Sequence, residues 1–592
     1  MSGAFPSSGG VPNTVGSLGV RDFVSTGITP PLGTQAFTST AFVYSDRVGE
    51  TSTGTGTGGM ALGGALVAAQ TFSGLIPAGA HVSYAIDNTT VPAEWEVGDG
   101  IYTADNVLQR ISVLDSSAAG ALVNFSAGAK NIFVTLSASS IAALAATTTA
   151  FNLTQKLYYV DSVAGNDGNS GLTTSAPWAS LAQVYANRAL YGPGSTIALK
   201  RGSVFLETLN IDSQSGSPGH PIVYTAYGSG DIPVIDAQST RGWPVYISQT
   251  AAYITLDSIR AINGVNDGIY VIANTVNITN LTFTNCVSEL NGRDGFGLES
   301  NNPGTLDIGS IEYDNCSARK NGRAGFFVNN VAATVTPVGI NYYNCKAIYS
   351  GQTQGNHGFS AIQSTNIHYY KCEASYTNID PSTGLVNGTG GTEGIGFVFD
   401  DFTGSSTVKY CYAHHNVGYG IALAHQASNN VGAYNVVVLN SGGGIVVNGN
   451  AAGSNNTLVY NNTIVSNTGN GLEVQTLSSG NIIKNNLISS NTGWGILFSA
   501  SGITGYTVAT NLIYNNTAGA TSNVTGATGT ITTNPTLDAN YAPLLGSPAI
   551  SAGLNLGSSY TQGLTIGGAS WPTSVSLGSQ GATFDIGAFV FP

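Results

Sequence analysis

Nine short runs between residues 268 and 498 share one pattern of apolar and polar positions. Each opens on a glycine and places apolar residues first and third after it: Gly268-Ile-Tyr-Val, Gly295-Phe-Gly-Leu, Gly325-Phe-Phe-Val, Gly358-Phe-Ser-Ala, Gly396-Phe-Val-Phe, Gly420-Ile-Ala-Leu, Gly444-Ile-Val-Val, Gly471-Leu-Glu-Val and Gly495-Ile-Leu-Phe. Apolarity with a period of two predicts a strand with one buried face. A second landmark recurs with the same period. Cys286, Cys316, Cys345, Cys372 and Cys411 each precede a short strand-like run, and Asn435, Asn462, Asn486 and Asn511 continue the register at intervals of 24 to 39 residues. Units this short cannot bury an apolar face alone, but stacked coil on coil they share a continuous core. The pattern therefore predicts a parallel β-helix with equivalent residues about 4.8 Å apart along its axis. In it the cysteines form a file of small buried groups, and the asparagines form a ladder whose amides bond from coil to coil.

This geometry assigns positions to the polar residues. With each anchor glycine as zero, the second and fourth positions point to solvent. The fourth positions include Glu299, Asn329, Asp400, Asn448 and Gln475. Glu299 and Asp400 fall three coils apart, about 14 Å, which is beyond the spacing of either kind of glycosidase carboxylate pair. At the fifth position Gln363, Asp401 and His425 follow one another on three consecutive coils. Asp401 is thereby expected within reach of His425, where a carboxylate orients an imidazole for acid or base work. The longest insertion, residues 378–394, carries Asp380 and Glu393 and rises beside this face as a wall for a groove.

Asp400, Asp401, Glu393, His425 and Glu299 are the candidate catalytic residues. Gln363, Tyr419, Asn329, Asn448 and Gln475 are the candidate substrate-binding residues. The alternative for Asp400 and Asp401 is turn chemistry, with carboxylates bonding backbone amides. His357, Asp267, Asp294, His414 and His415 read as turn residues, and Asp161 and Asp167 as cap-turn residues. Tyr270, Phe327, Tyr410, Tyr412 and Tyr419 are placed to stack on pyranose faces. No metal ligand set and no cofactor is invoked.

The 592-residue chain is only 8% charged and contains Gly 78. Few helix-forming charged residues and many turn formers favour β-structure. A net charge of -13, with no offsetting basic cluster, argues against nucleic acid and anionic membrane surfaces as partners. No run of about 20 apolar residues predicts membrane insertion. The opening MSGAFPSSGGVPNTVG has no basic start followed by an apolar core, so a cytoplasmic origin with free thiols is expected.

Residues 158–184, YYVDSVAGNDGNSGLTTSAPWASLAQV, the continuation GSPGHPIVYTAYGSGDIPVID, and the exit YAPLLGSPAISAG…DIGAFVFP resemble the right-handed parallel β-helix proteins of the pectate-lyase-like superfamily. VYSDRVGETSTGTGTGGMALGGALVAAQTFSG and EWEVGDGIYTADNVLQRISV resemble a β-rich module near the N-terminus of bacteriophage tail proteins. The resemblances imply an all-β chain: a β-rich particle-attachment domain at 1–136, a helical neck or linker at 137–157, the β-helix with its N-terminal cap at 158–530, and a C-terminal cap at 531–592. They imply a tailspike or tail fibre, assembled in a host cytoplasm and carried on the virion tail. Its partners would be a host surface polysaccharide, other tail or baseplate proteins and two further copies in a homotrimer. Glycoside hydrolysis would use Asp400 or Asp401 with Glu393. Eliminative cleavage in that superfamily commonly uses Ca²⁺ or Arg, and no Lys or Arg stands between Lys371 and Lys409, which favours hydrolysis. The alternatives are a non-enzymatic adhesive or structural tail protein, and a bacterial polysaccharide-active enzyme.

Overall fold

The computed structural model describes residues 47–135, 156–274, 277–301, 308–329, 339–353, 357–387, 393–448, 453–475, 477–500, 503–565 and 576–591. The chain divides into two compact units, Met1–Phe151 and Asn152–Pro592. Of the neck segment at 137–157, all but the last two residues lies outside the described residues, and Leu157 opens a strand.

The first unit is one antiparallel sheet. Its strands are β1 (Gly49–Ser52), β2 (Met60–Ala61), β3 (His81–Asn88), β4 (Trp95–Tyr102), β5 (Val107–Ser116) and β6 (Lys130–Val134), in the order β1-β6-β3-β4-β5-β2. One face packs Met60, Phe72, Val82, Ile86, Leu108 and Ile132 into a small core. Glu96 is fully buried there and is compensated on every side. It accepts hydrogen bonds from the Tyr84 hydroxyl (2.7 Å) and the Val123 amide (2.7 Å), and pairs with Arg110 at 3.0 Å. A buried carboxylate persists only with such partners.

The second unit is a parallel β-helix of three sheets. Sheet 1 has 12 strands, from Leu209–Asp212 to Gly519–Ser522. Sheet 2 has 13 strands, from Leu157–Val160 to Thr507–Ala509. Sheet 3 has 12 strands, from Val204–Phe205 to Leu512–Tyr514. The anchor-glycine register holds without a slip. Ile269, Phe296, Phe326, Phe359, Phe397, Ile421, Ile445, Leu472 and Ile496 pair in unbroken succession down sheet 1. All are buried in the core. Aromatic rings stack at the coil rise, with Phe296–Phe326 and Phe326–Phe359 both 4.6 Å apart. The fold is an all-β parallel β-helix.

Turning a strand into the next sheet needs one left-handed residue, and the corners supply them in columns. Asn285, Asn315, Asn344, Lys371, Tyr410, Tyr434, Asn461, Asn485 and Thr510 all have positive φ. Each stands immediately before a member of the cysteine and asparagine column. The five cysteines are buried free thiols, and Cys316, Cys345, Cys372 and Cys411 each donate to a carbonyl of the preceding coil. The asparagine ladder runs Asn435→Asn462→Asn486→Asn511 through amide bonds of 2.9, 2.9 and 3.0 Å. A second ladder, absent from the sequence reading, joins Asn416, Asn440, Asn467, Asn491 and Asn516 at the next corner.

At the N-terminal end, Trp178 stacks on Tyr158 at 4.8 Å. Helix α1 (Leu181–Ala186), capped by the Ser180 hydroxyl, drives Leu181 and Val184 into the core. Asp161 and Asp167 accept backbone amides in this cap, as turn chemistry predicts. At the other end the described residues 531–565 and 576–591 do more than cover the last coil. They run back along the flank, where the Tyr410 hydroxyl donates to Gln562 (3.1 Å), the Asn461 amide to Asp585 (2.7 Å) and the Asn485 amide to Leu554 (2.8 Å).

Candidate functional site

Two consecutive coils of sheet 1 build the site. Strand Phe397–Asp400 ends in Asp401 and Phe402, and strand Tyr419–Leu423 ends in Ala424 and His425. Asp401 (φ 37) and His425 (φ 48) occupy left-handed corners, as does Gln363 (φ 49) one coil earlier. Backbone bonds pin the corners: Ala424 N–H to Phe399 (2.8 Å), Phe402 N–H to His425 (3.1 Å) and His425 N–H to Asn448 (3.0 Å). The fifth position has therefore left the strand, and this redirects the histidine. His425 Nδ1 lies 2.6 Å from Asp400 Oδ1 and 3.7 Å from Asp401 Oδ1. Its nearer partner is the fourth-position aspartate of the preceding coil, not the fifth-position Asp401 the stacking pattern pointed to.

Asp400 is four-fifths buried at its side chain. Burial pushes its carboxyl above the ordinary range, offset in part by His425 and by the Asp401 amide, which donates to Oδ1 at 3.0 Å. An ionised Asp400 can only accept, so Nδ1 carries the hydrogen of the 2.6 Å contact, and the neutral ring keeps a lone pair on Nε2. The pair is an oriented imidazole of the kind that moves protons. Ligand atoms of Asp400, Asp401 and His425 lie within 4.8 Å of one another, so the same three residues can also hold a divalent cation.

A groove of about 380 Å³ opens beside them and is lined by Glu393, Asp400, Tyr419, His425, Asn448 and Gln475, among others. Six of the ten candidate residues meet here. The Glu393 side chain is 66% exposed, and its Oε2 stands 4.0 Å from His357 Nε2. His357 is buried, and its Nδ1 accepts from Ile395 N–H at 3.3 Å, so Nε2 carries the hydrogen. Burial holds its pKa down at about 4. The groove floor is apolar: Val398, Ala422 and Val446 stack in register on successive strands with Ala424 beside them.

The floor ends at a carboxylate that sequence reasoning passed over. Glu473 pairs in register with Val446 and is only 8% exposed. It accepts from the Tyr419 hydroxyl (2.8 Å), Asn470 Nδ2 (2.9 Å) and Gln475 Nε2 (3.0 Å). It stands at the second position after Gly471, in the outward column of Val398, Ala422 and Val446. Following the second positions as well as the fourth and fifth would have found it.

The remaining candidates lie elsewhere. Glu299 reaches Asp400 only through Asn329 and Ile362, three strand pairings away. It belongs to another cluster, accepting from the Tyr270 hydroxyl at 2.8 Å and facing Arg293 at 3.3 Å and Arg323 at 3.8 Å. Arg323 also pairs with Asp294. Desolvation by burial, with Asp294 beside it, raises Asp267 to about 7. Asn329 does not line the groove, and Gln363 is exposed and enters only through its amide, which donates to the Asp401 carbonyl at 2.9 Å. Tyr410 packs under the C-terminal segment, Tyr270 and Phe327 are buried, and His414 pairs with Glu373 at 3.3 Å on sheet 3. A larger hollow of about 500 Å³ on sheet 2 has, among the described residues, Glu312 as its one lining carboxylate and no lining histidine.

Residues 342–542 match the family described as "Periplasmic copper-binding protein (NosD)". A lacto-N-biosidase of Bifidobacterium longum subsp. longum is 33% identical over 141 residues, which is 23% of this chain and 9% of that enzyme. The matched stretch thus spans under a tenth of the relative's length. Among solved structures, the pectate lyase Pel9A superposes with a TM-score of 0.47 at 18% identity, covering 74% of this chain and 97% of that one. A lacto-N-biosidase from Eubacterium ramulus superposes at 0.42 and 17% identity, covering 67% and 71%. At these identities the structural likeness concerns the fold alone. The class is a parallel β-helix protein, and the reaction has to be argued from the groove.

Proposed function

We propose that the chain binds a polysaccharide along sheet 1 and hydrolyses it in the groove at His425. The observation that carries this reading is the 2.6 Å contact between His425 Nδ1 and Asp400 in a recess shared with Glu393. In this reading Asp400 fixes the imidazole, His425 exchanges a proton with the glycosidic oxygen or the attacking water, and Glu393 is the second titratable group of the couple. The local match to a lacto-N-biosidase supports a carbohydrate as the ligand. Stacked polar and apolar columns of constant rise suit a polymer of repeating units. The finer setting we propose, a virion tail protein that meets a host surface polysaccharide and works as a trimer, rests on the resemblance of the N-terminal residues to phage tail modules.

Purified protein is incubated with capsular polysaccharides and lipopolysaccharides, and polymer size and reducing ends are followed. Falling size in the wild type, abolished in Asp400→Asn and His425→Gln with the circular dichroism unchanged, supports hydrolysis at this site. Cleavage that survives both substitutions rejects it. The second reading, an adhesin, is favoured by Asp400 also accepting the Asp401 amide, a turn contact that needs no chemistry. Binding at constant polymer size would select it.

A further inference from the structure

The groove has an unusual electrostatic boundary. Glu393 and Asp400 line it, Asp401 lies 3.7 Å from His425, and Glu473 is held by two lining residues, Tyr419 and Gln475. Against these four carboxylates stand two imidazoles, His357 and His425, and among the described residues no lysine or arginine lines the groove. The sequence explains why. From residue 372 to 592 the chain contains two lysines, Lys409 and Lys484, and no arginine, and both lysines end strands of sheet 2. Lys409 is engaged there with the rings of Tyr410, Tyr434 and Tyr560. On sheet 1 the coils before the groove do carry Arg293 and Arg323, but Asp267, Asp294 and Glu299 neutralise them.

Anionic sugars are held by guanidinium or ammonium groups that match their carboxylate, sulfate or phosphate oxygens. Apart from its imidazoles this groove offers such groups no candidate cation, and it sets carboxylates against them at a few ångströms, a range at which salt screens little. Its other surfaces favour uncharged pyranoses. Val398, Ala422 and Val446 present a methyl floor to a ring face, Asn448 and Gln475 each combine donor and acceptor, and the exposed Glu393 accepts from hydroxyl, amide or ammonium hydrogens.

We propose that the groove takes glycans of uncharged or amino-bearing sugars and excludes polymers of uronate, sialate, sulfated or phosphorylated sugars. This deepens the functional reading and rests on the groove being a glycan site. The test is a set of matched pairs: a polyuronate and its carboxyl-reduced product, and a neutral glucan beside its sulfated form, with chitosan as the amino-bearing member. Binding to the full-length chain is measured by titration calorimetry in EDTA and again with calcium. Neutral or amino members binding about 100-fold more tightly than their anionic partners is the expected result. The gap should narrow about 10-fold in Glu473→Gln, which keeps an acceptor for Tyr419, and in Asp401→Asn. An anionic member binding as well as its neutral partner, in EDTA or only with calcium, overturns the selectivity but leaves the glycan reading in place. No binding by any member, with wild type and Val398→Trp alike, overturns the reading and the selectivity together.

Discussion

Replacing Asn462 by alanine removes one rung from a ladder that holds adjacent coils in register. The Asn462 side chain makes four bonds: Nδ2 donates to Gly432 O and Asn486 Oδ1 at 2.9 Å, and Oδ1 accepts from Asn435 N–H at 3.0 Å and Asn435 Nδ2 at 2.9 Å. Two of the partners keep another bond, since Asn435 Nδ2 also donates to Val408 and Asn486 Oδ1 also accepts the Asn462 amide. Two lose their side-chain partner, the Asn435 N–H and the Gly432 carbonyl, at a position with no solvent exposure. Only the Asn435 N–H is orphaned, at about 1–3 kcal/mol; the Gly432 carbonyl stays in its strand ladder and, like the other two weakened groups, loses about 0.5–1.5 kcal/mol. The sum is about 2.5–7.5 kcal/mol, large beside the stability of an ordinary domain. Urea unfolding followed by far-UV circular dichroism measures it. Cys345→Ala is the control: it deletes a thiol that donates weakly to Tyr313 and should cost about 1–2 kcal/mol. A loss below about 1 kcal/mol in Asn462→Ala would show that water or the backbone replaces the rung, and the ladder would then be decoration.

Asp267 and His357 should tilt the pH dependence of stability in opposite directions. Asp267, raised to about 7, favours the folded state below its unfolded pKa and loses that contribution as pH rises from about 4 to 7, at most about 4 kcal/mol. His357, lowered to about 4, contributes fully above about 6.5 and loses about 3 kcal/mol as pH falls through that window. Melting temperature in the wild type should therefore vary little between pH 4 and 7. It should fall toward acid in Asp267→Asn and toward neutrality in His357→Gln; parallel slopes in all three proteins would disprove the assignment. The five thiols should resist alkylation in the native protein and react fully in urea, and a fast-reacting thiol in the native state would contradict the buried file. Glu299→Gln should leave polymer cleavage unchanged, because that carboxylate answers to Tyr270 and Arg293 outside the groove; lost cleavage with an intact fold would place it back in the chemistry.

The period of the coils was legible because a one-residue slip moves every apolar side chain to the wrong face, so Gly268 through Gly495 had to keep step. The groove was legible in part for the same reason. Asp400, Asn448 and Gln475 are fourth-position residues whose direction follows from the pleat. What the pattern could not give was the direction of side chains past the strand end. His425 turns with its left-handed corner and meets Asp400. Glu473 was hidden by attention to only two outward columns, and the second asparagine ladder by attention to one corner, although Asn440, Asn467, Asn491 and Asn516 each follow a first-ladder residue by five. The path of residues 531–565 and 576–591 depends on tertiary contacts more than 100 positions apart, such as Tyr410 with Gln562, which no local periodicity encodes.

That returning segment changes how the shaft comes apart. A bare solenoid frays like a zipper, one coil after another from its open end. Here the last coils are stitched to earlier ones by a strand of chain fastened at Asn485, Asn461 and Tyr410. Unravelling the tip requires those fasteners to let go first, so the coils bearing the groove share the fate of the terminus and should open with it as a single block.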